Sequence, residues 1–406
     1  MIKKIVTSLC LFLGLLSFAQ EGSSSPYSFY GIGEVRFKGT AENRAMAGIA
    51  VEQDSIHINL QNPASFASLK LTSFTLGGTF NTSTLKTDSK SESAQRSTLD
   101  YMAVGLPLGK FGVGFGLIPY SSVGYKIRKF TDESSTTGST YTSTGGVNKV
   151  FLGLGYKLSS KLSIGADVNY NFGTIEVINS QLIENVQSGT RETNSAKMSG
   201  VNFNIGTMYQ AKLTKTLNFY SSLNYTFAND LNSENSRVIV TSSESVTVEQ
   251  ADRTLPFASK VSLSAGIGQA KKWLLAAKIA VQGASDISNS YNDLSNVSYE
   301  RAESYNVGGY YIPDYASFTN YAKRIVYRGG LKFEKTGLVV NSESINNLGL
   351  TLGLGMPITG TFSNINIGFE LGKKGTTSSG LIQENYANIS VGLSLNDKWF
   401  EKRKFN

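Results

Sequence analysis

Histidine and cysteine are nearly missing from this chain: among 406 residues there is one of each, His57 and Cys10. No disulfide framework is available, and neither a His/Cys metal site nor a Ser–His triad can be built into the body of the chain. Long apolar runs are also missing. Past the first twenty residues no stretch reaches the ~18 residues of a membrane-spanning helix, so a helical membrane protein is excluded. No basic block interleaves with aromatics, which removes nucleic acid as a partner despite the formal charge of +8. No Walker loop, dinucleotide fingerprint or calcium loop occurs, and Gly31-Ile32-Gly33 lacks the third glycine and the helix of a nucleotide loop. Asp167 and Glu370 are carboxylates that nothing in the sequence brings together. The chain reads as a non-enzyme, with no catalytic residue and no cofactor or metal assigned.

The chain opens with Lys3 and Lys4, an apolar run over 5–18, and Ala19-Gln20. A basic start, a short apolar centre and a small residue at its end describe a secretory signal peptide, cleaved after Ala19. Cys10 follows Leu9 early in the apolar run, which does not fit a lipidation site. The expectation is export, with stability supplied by something other than disulfides.

Charged residues are 17% of the chain, below the usual quarter, while glycine (41 residues) and aromatics (11%) are abundant. Their arrangement decides the fold class. Over 110–120, Phe111, Val113, Phe115 and Leu117 alternate with Gly112, Gly114 and Gly116. A period of two with different faces is a strand between two environments. The pattern returns at 162–172, 201–213, 217–227, 261–268, 348–356, 364–371 and 387–395, where the second face is rich in Asn, Ser, Gly and Thr. Further candidates lie at 71–85, 97–108, 147–158, 273–281 and 323–333. A continuous apolar face opposite a polar one fits lipid outside and a wet lumen inside. The fold expected is an all-β transmembrane up-and-down antiparallel β-barrel. Thirteen runs are counted here, and the even numbers usual in such barrels make fourteen the choice.

Connections alternate between short and long. The short ones, at 109–110, 159–161, 212–215 and 269–272, read as periplasmic turns. The long polar ones, at 129–146, 179–196, 229–253 and 285–318, read as extracellular loops, the last carrying Tyr291, Tyr299, Tyr305, Tyr310 and Tyr311. Trp399 and Phe400, after the last strand, are expected to anchor at the membrane interface.

Before the first strand, Asn62-Pro63-Ala64 pairs a good helix N-cap with a proline at the first helical position. Together with Ala45-Met46-Ala47-Gly48-Ile49-Ala50, Asp54-Ser55 and Leu69, this stretch resembles the N-terminal hatch of the FadL family of long-chain fatty-acid transporters. The opening 25–33 and the ending 396–404 resemble a branch common in Bacteroidota. The resemblance implies a hatch at 20–70 plugging the lumen of a barrel at 71–400, between the signal peptide at 1–19 and the polar stretch 401–406, which reads as a periplasmic tail. It makes Gly48, Asn62, Pro63 and Ala64 the hatch motif beside a lateral opening. The implied function is passive uptake of hydrophobic small molecules, long-chain fatty acid or similar, across the outer membrane. The partners are outer membrane lipid and that molecule. The same branch also serves type IX protein secretion, so an accessory barrel docking a secretion or surface-assembly protein is the alternative.

Overall fold

In the computed structural model, residues 22–130, 137–184, 189–241, 244–285, 287 and 294–398 are described. The proposed signal peptide, Tyr291, Trp399, Phe400 and the 401–406 tail lie outside them. The strands are β1 (Glu34–Val35), β2 (Thr72–Lys86), β3 (Ser91–Leu108), β4 (Phe111–Pro119), β5 (Ser121–Phe130), β6 (Gly138–Lys157) and β7 (Leu162–Leu182). They continue as β8 (Thr190–Lys212), β9 (Asn218–Thr226), β10 (Asn229–Val240), β11 (Ser245–Glu249), β12 (Arg253–Phe257), β13 (Lys260–Gln269) and β14 (Trp273–Gln282). The last are β15 (Val297–Tyr299), β16 (Ala302–Tyr311), β17 (Val326–Val340), β18 (Glu343–Pro357), β19 (Asn364–Lys374) and β20 (Gln383–Asp397).

All wall pairings are antiparallel, and β2 pairs with β20, Thr72 opposite Asp397, so the first wall strand closes on the last. The result is a closed barrel of 14 strands. Closing β2 on β20 removes the free edges of the first and last wall strands from the hydrocarbon layer, where an unpaired N–H or C=O would find no water. Several wall strands are composite: β4 runs on into β5, β9 into β10 and β12 into β13.

Side chains sort by face as the alternation requires. Leu352 is 56% exposed on the outside, whereas Thr351 beside it is 1% exposed and faces in. On β7 and β8 the inward set is Asp167, Asn169, Asn171, Asn202 and Asn204, and the outward set includes Val168, Tyr170, Val201, Phe203 and Ile205. The short turns gather at the end where residue 72 enters and residue 397 leaves; by turn length this end is periplasmic. Lys110, Lys161, Lys215, Lys271 and Lys272 stand exposed on those turns.

Three expectations need correction. The missing fourteenth strand is β16, which had been placed in the 285–318 loop; Tyr305, Tyr310 and Tyr311 are wall residues, with Tyr305 opposite Phe333. Its outward face holds only Tyr305, Val307 and Tyr311, with Gly309 between them, so the apolar signal was thin. The 129–146, 179–196 and 229–253 stretches are ladders for most of their length: β6 and β7 stay paired out to Gly138 and Leu182. Beyond the lipid both faces are wet, so the alternation disappears while the hydrogen bonding continues. Finally, the 323–333 strand begins only at Val326, because 312–325 forms a structured connection at the periplasmic end.

Replacing Leu352 by arginine is expected to lower barrel stability by about 2–4 kcal/mol, the depth-dependent cost of a charge on the lipid face. Equilibrium urea unfolding from lipid vesicles measures it, and an unchanged midpoint would remove Leu352 from the lipid belt.

Candidate functional site

Residues 22–70 thread the lumen. The turn Pro63–Ser68 is a 3₁₀ helix, and Asn62 caps it: its Oδ1 accepts from Ala64 N at 3.0 Å. The Nδ2 of the same side chain donates to the Thr207 and Leu223 carbonyls, both at 3.1 Å, which face each other in the β8–β9 ladder. Asn62 thus caps its own turn and bolts it to the wall. Pro63 supplies a fixed φ with no N–H to satisfy.

The wall has been cleared to receive this turn. A methyl group added at Gly112 would run into the Phe66 carbonyl, and one at Gly206 into the Asn62 amide. At Gly155 and Gly165 it would stand 2.6 and 2.5 Å from the amide nitrogens of Ala67 and Ala64. On the side-chain-free face of the 110–120 strand, Gly112 is thus a seat for the backbone at Phe66 and Gly114 for the Phe66 ring. Phe66 fills the remaining space with Ile58, Leu60, Tyr101, Ala103, Ile118 and Phe151.

Higher in the lumen, the single turn α1 (Ala41–Arg44) ends as Gly48 N bonds the Asn43 carbonyl at 2.8 Å. Gly48 sits at φ +87°, a left-handed conformation that glycine adopts without strain. Wall side chains grip this stretch through its backbone. Ala47 N donates to Thr351 Oγ1 at 3.0 Å, Asn306 Nδ2 to the Ala47 carbonyl and Lys278 Nζ to the Gly48 carbonyl, while Ala41 N donates to Tyr101 OH. Arg44 pairs with Asp100 at 3.3 Å.

The wall itself is open at one seam. Beyond Met102–Leu117, β3 no longer pairs with its neighbour: between Pro119 and Val123 the strand takes one residue more than β6 opposite it, where Gly145 and Gly146 have positive φ, and β5 leaves with β6. The lumen segment fills that seam. Its strand β1 pairs with β5, Glu34 opposite Ser122, and leaves Val35 57% exposed as part of the outer surface. On the β3 side the bridge is ionic: Arg96 reaches Glu34 at 2.9 Å and also the Gly22 carbonyl and Ser23. Lys374 holds the other Glu34 oxygen at 3.2 Å.

The family model described as BamG matches residues 1–406. The chain belongs to the BamG family. No curated protein matches it. Among solved structures it is similar to the toluene transporter TodX of P. putida (TM-score 0.56, 16% identity, covering 89% of this chain and 99% of that one). A Pseudomonas aeruginosa FadL homologue (0.56, 11%, 89% and 98%) and the CymD monoaromatic hydrocarbon channel (0.52, 13%, 90% and 99%) share the fold. At such identities the likeness is one of architecture, and that architecture is the FadL-like outer membrane barrel. TodX and CymD are titled as a transporter and a channel, respectively.

Within this BamG-family barrel, Gly48, Asn62, Pro63 and Ala64 all lie in the lumen segment, and Asn62–Ala64 and Gly48 meet different parts of the wall. Asp167 and Glu370 do not meet as a pair. Asn169 and Asn204 donate to Asp167, and Glu370 lies 2.6 Å from Lys332. Sequence reasoning missed Glu34, Arg96, Arg44 and Lys374, which hold the segment in place. The inward glycines were the one available signal for its seat.

Near the periplasmic mouth, Glu52 accepts from Tyr310 OH at 2.7 Å and Tyr220 OH at 3.4 Å. Burial, followed by the nearby Asp54 charge, pushes its carboxyl up to about 7 against those hydrogen bonds. Asp54 and His57 form a pair at 2.7 Å. Burial acts against both charges, yet the pairing wins: Asp54 falls to about 2 and His57 is raised. His57 is therefore a packed, paired side chain rather than a base.

The signs give a testable profile. Between the ordinary 4.5 and about 7 the folded state keeps a proton on Glu52 that the unfolded chain has released, so stability falls as pH rises through that window. His57 adds to the fall above 6.5, where its raised folded value is passed, while Asp54 weakens the fold only below its usual 3.8. Glu52→Gln is expected to abolish the loss between pH 5 and 6.5 (roughly the lower part of the window) and leave the decline above it, read from urea midpoints at each pH. A profile unchanged by the substitution would contradict this assignment. Asn62→Ala removes the cap and the second hydrogen bond of two wall carbonyls, at a cost of about 0.5–2 kcal/mol. Faster amide exchange confined to 59–69 is the expected sign.

Proposed function

We propose that this barrel is a sealed accessory subunit of an outer membrane protein-secretion or surface-assembly complex, its lumen segment acting as a permanent filling. The observation that carries the reading is the seam between β3 and β5. A hydrophobic molecule leaving sideways would meet Glu34 ion-paired to both Arg96 and Lys374, and would have to part buried charges from their partners. Beside the ion pairs, Ile32 packs with the inward side chains Val123, Val147, Ile175, Met198 and Phe257 in an apolar cluster that closes the lumen by packing rather than by charge. A cavity of about 400 Å³ lies at the joint of Ala228–Asp230, Pro256–Ala258 and Ala284-Ser285, away from Asn62 and the glycine seat. In this reading 1–19 is the export signal, 20–70 the filling, 71–400 the barrel and 401–406 a periplasmic tail, with Trp399 and Phe400 as interface anchors. The resemblance of 25–33 and 396–404 to a Bacteroidota branch that includes secretion barrels is consistent with the same assignment.

A second reading keeps the segment as a movable hatch for passive uptake of a hydrophobic small molecule. It is favoured by the shared fold with channels titled for monoaromatic hydrocarbons. The two part company in two measurements on the mildly extracted, tagged protein. Native mass spectrometry is expected to find a stoichiometric complex with an outer membrane partner, and planar bilayers are expected to show a closed wild type and an open pore once 21–69 are deleted. A lone monomer carrying a hydrophobe, with spontaneous openings in the wild type, would decide for uptake.

A further inference from the structure

The connection from β16 to β17 is the longest at the periplasmic end, and it is built to protrude. Ile312 is buried and tied back through Lys272, and the Asp314–Lys323 backbone bond of 2.9 Å closes the neck of the loop. Asn320 caps a final 3₁₀ turn (Tyr321–Arg324), and Tyr321 OH bonds the Pro357 carbonyl of the next turn. A loop held this firmly still leaves Phe318 wholly exposed, with Tyr315 and Tyr321 each nearly half exposed beside it. Both tyrosines carry a cation over the ring, Lys271 on Tyr315 at 4.7 Å and Arg324 on Tyr321 at 5.1 Å.

Charge and level identify the occupant. Around this end stand Lys110, Lys161, Lys215, Lys271, Lys272 and Lys323, and the wall here offers only Asp314 and Asp397 in return among the described residues. The lipid boundary is marked by the row Trp273, Tyr311 and Tyr327, aligned across three neighbouring strands. Phe318 lies seven residues beyond Tyr311 on the far side of the closed neck, below that row. An aromatic tip in a basic rim, clear of the membrane, fits a pocket on an acidic protein. We propose that the loop 312–325 and the adjoining Lys271-Lys272 turn are the docking site for an acidic periplasmic partner, Phe318 being its central anchor. This rests on the accessory-subunit reading and assigns the face it uses.

The test is photocrosslinking in intact cells, with p-benzoylphenylalanine at position 318 and, as controls, at 352 on the lipid face and 246 on β11. Position 318 should give one dominant protein adduct, identified by mass spectrometry as an acidic periplasmic protein. Phe318→Ala, and separately Lys271→Glu with Lys272→Glu, should each lower recovery of that protein with the full-length barrel about tenfold or more. Heat-modifiable gel mobility should show both variants folded. A phospholipid adduct at 318, no protein adduct, or recovery unchanged in both variants would overturn the proposal. If a complex then persists and crosslinks through 246, the accessory reading stands and only this face is wrong. If no complex exists at all, both fail.

Discussion

The contact on which the rest depends is backbone against backbone. Asn62–Ala67 lies so close to β4, β6, β7 and β8 that Gly112, Gly155, Gly165 and Gly206 have no room for a side chain. Because the wall has given up its side chains there, the segment cannot be a loose occupant. Its removal would expose peptide groups and a side-chain-free strip of sheet. Asn62 converts the close fit into a fixed register by bonding two wall carbonyls that face each other. Above it, Thr351, Asn306, Lys278 and Tyr101 hold the chain mainly through its main-chain atoms. The grip therefore depends on the path of the segment more than on its apolar side chains.

Polarity inside the barrel follows from the same arrangement. A lumen filled with peptide groups needs hydrogen-bonding partners, and the Asn, Ser and Thr residues of the inner face supply them. Charges are added where the fit is incomplete, as at the seam, where Glu34 is shared by Arg96 and Lys374. Buried ion pairs contribute little net stability, but breaking one by moving a partner away is costly. Such a cluster makes a poor passage and a good latch. That distinguishes this member of the BamG family, in residue terms, from what its fold alone suggests.

Much of this was legible in the sequence, in proportion to the physical contrast each region experiences. Where lipid meets a wet lumen, as along Leu348–Met356 or Leu162–Phe172, the period-two pattern is strong and the faces were read correctly. Where the ladder rises out of the membrane the contrast vanishes, and β6, β7 and β10 continued unseen into stretches read as loops. β16 was lost because glycine replaced an outward apolar residue. The cap of Asn62 and the proline behind it were local and therefore visible. The ties of Arg96, Glu34 and Lys374 are not, since they join residues as far apart as 34 and 374 across the barrel.

The position of the lumen segment bears on how the molecule is made. It directly precedes β2, and β2 is the strand on which β20 closes. Its contacts run to β5, β8, β16 and β18, around the circumference. Because the segment is made before every wall strand and touches strands all around the ring, it is available as a former for the curvature of the sheet while β20 is still to arrive. A machine that inserts the barrel strand by strand would then handle the unfinished sheet together with its contents.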